Sequence, residues 1–511
     1  MTEEVSHDQS YPDSENIYRL LFKDVTPGEE AKWTAHQPMV ANMIEELFPE
    51  VELAGRLIPY SGWSFAGDNQ IRRSDRTQNT FDEGFAYADQ ELIDILGFEM
   101  VYGEAKTALA KPNSIIIAKS KADKLFPGEN PVGKTIILEE RTERPWVIGA
   151  VMKDPSKLNH LPFDYLLTLT EEEFWEGEQT NWCCSNYNIY LKVKDGVDPN
   201  DLKEKLTKMM HDAYIPYLRE RGNKWADDVE EFLSYELQPV SDIHLYSQDI
   251  YDGLRKSDIR IIYLFASVAV FILLLACINF INLSTAKSAN RAKEVGLRKV
   301  VGSFRIDLIK QFLTESIVIT GLATVLGVLL AWLFVPFFNS ISGKSLSIPF
   351  DQAWLYIAIF GLIFLVGIVS GIYPSFYLSA FKPIEVIKGK LSRGAKTSML
   401  RNIMVVFQFT CSVILIIGSV VVYQQMKFIL NKDLGYDKEQ VLLIQGTNTL
   451  GDRLELFQNE LKEISEVQSV SASSYLPISG TKRDQNEFWK EGRRKEDLAI
   501  GAQIWRVDDD Y

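Results

Sequence analysis

IIYLFASVAVFILLLACINFINLSTA fills residues 261–286 without one charged side chain. A helix rises 1.5 Å per residue, so about 20 apolar residues cross the roughly 30 Å hydrocarbon core of a bilayer. Helices buried in a water-soluble core rarely stay uncharged that long. Three more runs of this kind follow, at about residues 316–339, 354–380 and 403–423. The fold expected is therefore a membrane α-helical protein with four transmembrane helices. Between the first two runs lie Lys287, Arg291, Lys293, Arg298, Lys299, Arg305 and Lys310. Between the last two lie Lys382, Lys388, Lys390, Arg393, Lys396 and Arg401. Basic short loops stay in the cytoplasm, which places residues 1–255 and everything after about Lys427 outside it. Trp332, Trp354, Tyr373 and Tyr377 fall near span ends, as interfacial aromatic residues do.

The mean hydropathy of −0.06 hides this division. Residues 1–255 carry 47 Asp and Glu against 26 Lys and Arg, a net of −21, and hold no long apolar run. The whole chain of 511 residues has a net charge of −15, which argues against nucleic acid as a partner, since phosphate binding needs clustered Lys and Arg. Cys183 and Cys184 are adjacent, and Cys277 and Cys411 sit in apolar runs as small hydrophobes. No cysteine spacing suits a metal, and no cofactor is expected. His7, His36, His160, His211 and His244 are scattered, with no nucleophile–base or paired-carboxylate pattern around them. A non-catalytic chain is the expectation.

Within residues 1–255, helices are expected at 38–50, 119–126 and 198–217. Strands are expected at 51–58, 114–118, 135–138, 146–151, 163–169, 187–193 and 234–240. This mixture reads as an α+β domain of two lobes. Residues 128–135, GENPVGKT, fit the Walker A pattern letter for letter. A P-loop must follow a buried strand and open a helix. Here a helix precedes, a strand follows, and Pro131 removes one N–H from the cradle. The stretch reads as a turn leading into a strand.

An internal repeat is also visible. MIEELFPEVELAGRLIPYSG (residues 43–62) is similar to ELKEISEVQSVSASSYLPISG (residues 460–480), with Pro59 and Gly62 matching Pro477 and Gly480. FAYADQEL (residues 85–92) meets IWRVDDDY (residues 504–511) with a slip of one residue. The domains expected are an outer domain at 1–255, a membrane domain at 256–430 and the start of a second outer domain at 431–511. The offset maps the fourth span to a place just ahead of Met1. It leads to the expectation that this chain is a fragment of a longer protein with a further span upstream.

The most informative stretch is ANRAKEVGLRKVVGSFRIDLIKQFLTES, residues 289–316. The need for a basic loop explains its Lys and Arg but not Gly296, Gly302 or the apolar series Val300, Val301, Phe304, Leu308 and Phe312. Periodicity alone leaves two readings open, lipid head groups or a cytoplasmic protein partner. The stretch resembles the signature of the FtsX/MacB-type ABC transporter permeases, roughly R-x-x-E-[IV]-G-x-R-K-x-x-G-[AS]-x-x-x-x-[IL]-x-x-Q-F-L-x-E. Arg291, Glu294, Gly296, Arg298, Lys299, Gly302, Leu308, Gln311, Phe312 and Glu315 match it. A second family-like element runs from Gly371 and Pro374 to Pro383. Residues 126–135 with 147–151 are similar to a turn and hairpin of the family's MacB-like periplasmic core domain. The resemblance implies a permease subunit of the inner membrane, with a cytoplasmic ABC ATPase subunit docking on the loop from Arg291 to Gly302. It implies extracytoplasmic work on peptide, drug or lipoprotein cargo, with a periplasmic adaptor or cargo protein and membrane lipids as further partners. The competing expectation is a membrane sensor or scaffold whose outer domain binds a ligand and whose loop recruits a signalling protein. A membrane-bound hydrolase is a weaker third. Glu315 borders the second span and is expected to pack or cap rather than to move charge.

Overall fold

The computed structural model describes residues 2–511 except 29, 60–64, 157, 183–184, 221–225, 251, 253, 287, 344–345, 381–394, 434–439, 475–483, 489 and 494–499. Cys183, Cys184, Gly62, Pro477, Gly480, Pro383 and the basic positions Lys287, Lys382, Lys388, Lys390 and Arg393 lie outside the described residues. The chain divides into two units, Met1–Ile262 with Gln440–Tyr511, and Tyr263–Glu439.

Among the described residues of the first unit, twelve strands join in one sheet: β1 (Ile17–Asp24), β2 (Ala31–Trp33), β3 (Val51–Ile58), β4 (Gly67–Arg73), β5 (Thr80–Ala88), β6 (Met100–Tyr102), β7 (Ser114–Ala118), β8 (Thr135–Leu138), β9 (Trp146–Met152), β10 (Tyr165–Thr168), β11 (Asn188–Val193) and β12 (Leu233–Pro239). Six of them close on themselves in the order β5, β4, β8, β9, β7, β10, the ring being completed where β10 runs parallel to β5. Inside the ring lie Ile71, Phe85, Ile115, Ile136, Trp146 and Tyr165, all fully buried. Four of the others extend from β5 through β3, β11 and β1 to β12, while β2 pairs with β1 and β6 with β9. The two lobes thus share one strand. Residues Thr80–Phe85 of β5 pair with β4, while Tyr87 and Ala88 pair with β3.

The helices α1 (Val40–Leu47), α2 (Gln90–Leu96), α3 (Lys119–Leu125), α4 (Pro199–Glu220) and α5 (Ala226–Phe232) cover the sheet. The alternation in β11 has a plain cause. Ile189 and Leu191 join the core beneath α1 and α4, and Tyr190 joins the core beneath α2. Both faces are buried, so the sheet is a middle layer here. Asp82 on β5 anchors α3, taking Lys121 at 2.6 Å and Lys124 at 3.0 Å. Burial alone would raise its pKa, but the two lysines hold it below the ordinary carboxylate value. Gly128 and Gly133 have left-handed backbones in the turn between α3 and β8, so the Walker-like letters build a turn leading into a strand.

Arg19 of β1 is fully buried. It donates to Asp252 at 2.5 Å, to Gln238 at 2.7 Å and to Ser247 at 2.8 Å. Asp252 also takes Lys256 at 3.0 Å. A buried charge is tolerable only when its partners are this complete. The network ties the stretch before residue 259 to the sheet.

Residues 440–511 hold the helix Leu454–Lys462 and a hairpin of β13 (Asp484–Phe488) with β14 (Ile500–Ile504). Asp508 accepts the Ala472 N–H at 2.6 Å, and its own N–H donates to Ala472 O at 3.2 Å. Asp89 stands in the same relation to Arg56, with 2.9 Å to the Arg56 N–H and 3.0 Å from its own N–H to Arg56 O. Arg56 lies on β3 after α1 and Asp89 follows β5; Ala472 comes after the helix Leu454–Lys462 and Asp508 follows β14.

The second unit contains α6 (Ile259–Ala286), α7 (Ser288–Val300), α8 (Arg305–Ser342), α9 (Ala353–Ser379) and α10 (Ala395–Leu430). Four of these are long and apolar enough to cross a membrane. The helices α8 and α10 exceed the expected apolar segments, because polar residues continue both helices beyond the hydrocarbon-length core. The 38 residues of α8 make a rod of about 57 Å, nearly twice a bilayer core.

Candidate functional site

The sequence between α6 and α8 forms one amphipathic helix, a two-sided turn and the start of a long helix. Two cross-links join α7 to α8. Arg291 grips Glu315 with both terminal nitrogens, one of them at 2.9 Å. Arg298 donates to Gln311 at 2.5 Å and pairs with Glu294 at 2.8 Å. The order is reversed between helices, the earlier residue of α7 meeting the later one of α8, so the two run antiparallel. Lys299 Nζ reaches the Ser379 carbonyl at the end of α9 at 2.7 Å, and Arg305 Nε reaches the Ser379 hydroxyl at 3.4 Å. Beneath these contacts Val295, Leu308, Phe312 and Leu378 form a small buried core, with Tyr377 against it. Gly296 is buried on the same helix.

Gly302 ends α7. Its φ is +107°, the Ser303 N–H reaches back to Arg298 O at 3.0 Å, and its own N–H reaches Lys299 O at 3.2 Å. This is a Schellman cap, which favours glycine at that position. Two residues on, Asp307 accepts the Phe304 N–H at 3.3 Å and starts α8. The turn is therefore fixed at both sides. It leaves an apolar surface in solvent: Val301 is 81% exposed and Phe304 75%, with Leu297, Val300 and Ile306 exposed beside them. The apolar series visible in the sequence thus splits, Leu308 and Phe312 inward, Val300, Val301 and Phe304 outward. Leu297 and Ser379 were not singled out by sequence reasoning. The 80-residue separation of Lys299 and Ser379 left no local signal, and Ser379 acts through its carbonyl and hydroxyl from another helix.

Gly371 serves a different contact. A Cβ there would stand 2.8 Å from Ser316 Oγ, and one on Gly367 would stand 2.9 Å from Ile317 Cα. A Gly-x-x-x-Gly step lets α9 lie directly against α8. Pro374, one turn on, is buried within α9 and leaves the Ser370 carbonyl without its helical N–H. No side chain at this site forms a cluster that would hold a metal or cofactor among the described residues. Arg291, Arg298, Lys299 and Arg305 make contacts that hold α7, α8 and α9 together, and the tip between α7 and α8 exposes Val300, Val301 and Phe304.

Comparison with known proteins covers both units. The model of the FtsX-like permease C-terminal family matches residues 266–383, and that of the MacB-like periplasmic core domain matches residues 2–209. Macrolide export ATP-binding/permease protein MacB of Bdellovibrio bacteriovorus is 26% identical over 64% of this chain and 46% of its own length. The protein of that name from Agrobacterium fabrum is 26% identical over 58% of this chain and 42% of its own. The chain therefore spans less than half the length of these curated relatives. A domain of a permease-type protein from Porphyromonas gingivalis is 25% identical over 45% of this chain and 93% of that one, with a TM-score of 0.35.

Proposed function

Because this chain belongs to the FtsX/MacB-type ABC transporter permeases, we propose that it passes ATP-driven motion from a cytoplasmic ATPase to an outer α+β domain that does conformational work on cargo. The observation that carries this is the exposed apolar tip of Leu297, Val300, Val301 and Phe304, on α7 and the turn after it, with α7 held by α8 and α9. An exposed apolar patch on a rigid mount suits a protein partner. Arg291, Glu294, Gly296, Arg298, Lys299, Gly302, Gln311, Phe312 and Glu315 then hold the mount, and Gly371 and Pro374 shape the end of α9 that it leans on.

The relatives' names join ATP binding and permease in one protein. For this chain we place the ATPase on a separate subunit, consistent with rejecting its Walker-like letters. Cargo belongs to the class of peptides, drugs or lipoproteins, reached through a periplasmic adaptor or directly. The membrane is the inner one, with residues 1–255 outside the cytoplasm. Residues 431–511 begin a second outer domain, a reading supported by the matching aspartate contacts of Asp89 and Asp508.

The test is ATP hydrolysis by the co-purified ATPase with and without this chain in liposomes. Val301→Asp with Phe304→Asp should abolish stimulation while α7 stays folded. Full stimulation by that variant would overturn the docking surface. Recruitment of a signalling protein with no ATPase in the complex would favour a sensor.

A further inference from the structure

In the first unit, three metal-ligating side chains meet at the stretch that leads toward the first apolar helix. Glu4, His7 and His244 each offer a donor atom, and these atoms all lie within 4.8 Å of one another. His7 and His244 are each 6% exposed, and their rings stack at 3.5 Å between centroids. His244 Nε2 stands 3.0 Å from a Glu4 carboxylate oxygen. Its other ring nitrogen, Nδ1, is buried with no hydrogen-bond partner among the described residues, which leaves a buried polar atom uncompensated. Next to His7, Asp8 is held firmly. Its N–H donates to Leu158 O at 2.9 Å, and its carboxylate takes His160 Nδ1 at 2.8 Å.

We propose that Glu4, His7 and His244 bind one divalent transition-metal ion of the zinc class. Two imidazoles and one carboxylate are a zinc ligand set, with water completing the sphere. Zinc holds N and O ligands at about 2.0–2.2 Å in a tetrahedral shell, so two donors on one ion stand about 3.4 Å apart. Binding therefore draws the donors together by about an ångström and turns one imidazole out of the stack, because each ring aims its lone pair in its own plane. Magnesium and calcium, which prefer all-oxygen shells, do not fit. The ion clips the segment before β1 to the helix Ile243–Tyr246 that follows β12.

The test is calorimetric titration of Zn2+ into the untagged full chain, purified in detergent and stripped with a chelator. About one ion per chain should bind at micromolar affinity or tighter and raise the melting temperature; Mg2+ should do neither. His7→Gln and His244→Gln should each weaken binding about tenfold or more, with unchanged melting in the absence of metal. Glu4→Gln, at a partly exposed position, gives the same reading should a histidine variant fail to fold. Wild-type binding that is absent, or equal to that of the variants, overturns the proposal.

Discussion

Arg291 and Glu315 stand 24 residues apart and meet through both guanidinium terminal nitrogens. The residue types and their helical faces were legible in the sequence, but the pairing was not, because the turn at Gly302 decides which levels of α7 and α8 face each other. Glu315, at the border of the second apolar run, is held in this ion pair. A charge swap tests the pair. Arg291→Glu and Glu315→Arg should each lower ATPase stimulation and melting temperature, and the double variant should recover most of both in a double-mutant cycle. Arg298 changes standing too: its reversal should loosen α7 from α8 as well as uncouple, since it is bound to Gln311 and Glu294. In the outer domain His36 is wholly buried against Phe22, and burial pulls its pKa down to about 4. The unfolded chain binds the proton near pH 6.5, so this group's contribution is complete above that value and is lost as pH falls toward 4. The loss amounts to roughly 3 kcal/mol at 1.36 kcal/mol per pH unit. Urea midpoints at pH 7 and pH 5 should differ more for the wild type than for His36→Gln.

At the level of elements, the four membrane helices and most strands of the outer domain were readable, since long apolar runs and short β-branched ones carry their own signal. SIIIA at 114–118 and TIIL at 135–138 became β7 and β8. The strands β4 and β5 were not readable. GDNQIRR has little apolar content, and its strand form comes from pairing with β5 and β8. The ends of α8 and α10 were missed because hydropathy marks the bilayer, not the helix. Between α8 and α9 the close approach at Gly367 and Gly371 makes a sharp prediction. Gly371→Val should cost about 1–3 kcal/mol by overpacking, read as a lower melting temperature in detergent. Gly361→Ala has open space around its Cβ and should leave that temperature unchanged.

For the whole chain, topology is the property most open to a direct check. With the chain's four native cysteines replaced by Ser in every variant, the outer-domain assignment predicts that Glu143→Cys, at an exposed position, reacts with an impermeant maleimide on intact cells. Val301→Cys should react only after the membrane is opened; the opposite pattern would invert the orientation. The division into outer and membrane parts was visible in charge and hydropathy alone. The sharing of β5 by two lobes was not, since it depends on pairings between strands far apart in sequence. That shared strand also bears on how the molecule is made. The ring is assembled from residues 67–168, a continuous stretch, whereas the open lobe needs β1 and β3 from before it and β11 and β12 from after it. Early strands with distant partners wait longest for them. As the chain emerges, the ring therefore has its full set of strands before the open lobe does. The first strand of the domain stays unpaired on its β12 side until residues 233–239 arrive, some twenty residues before the helix that enters the membrane.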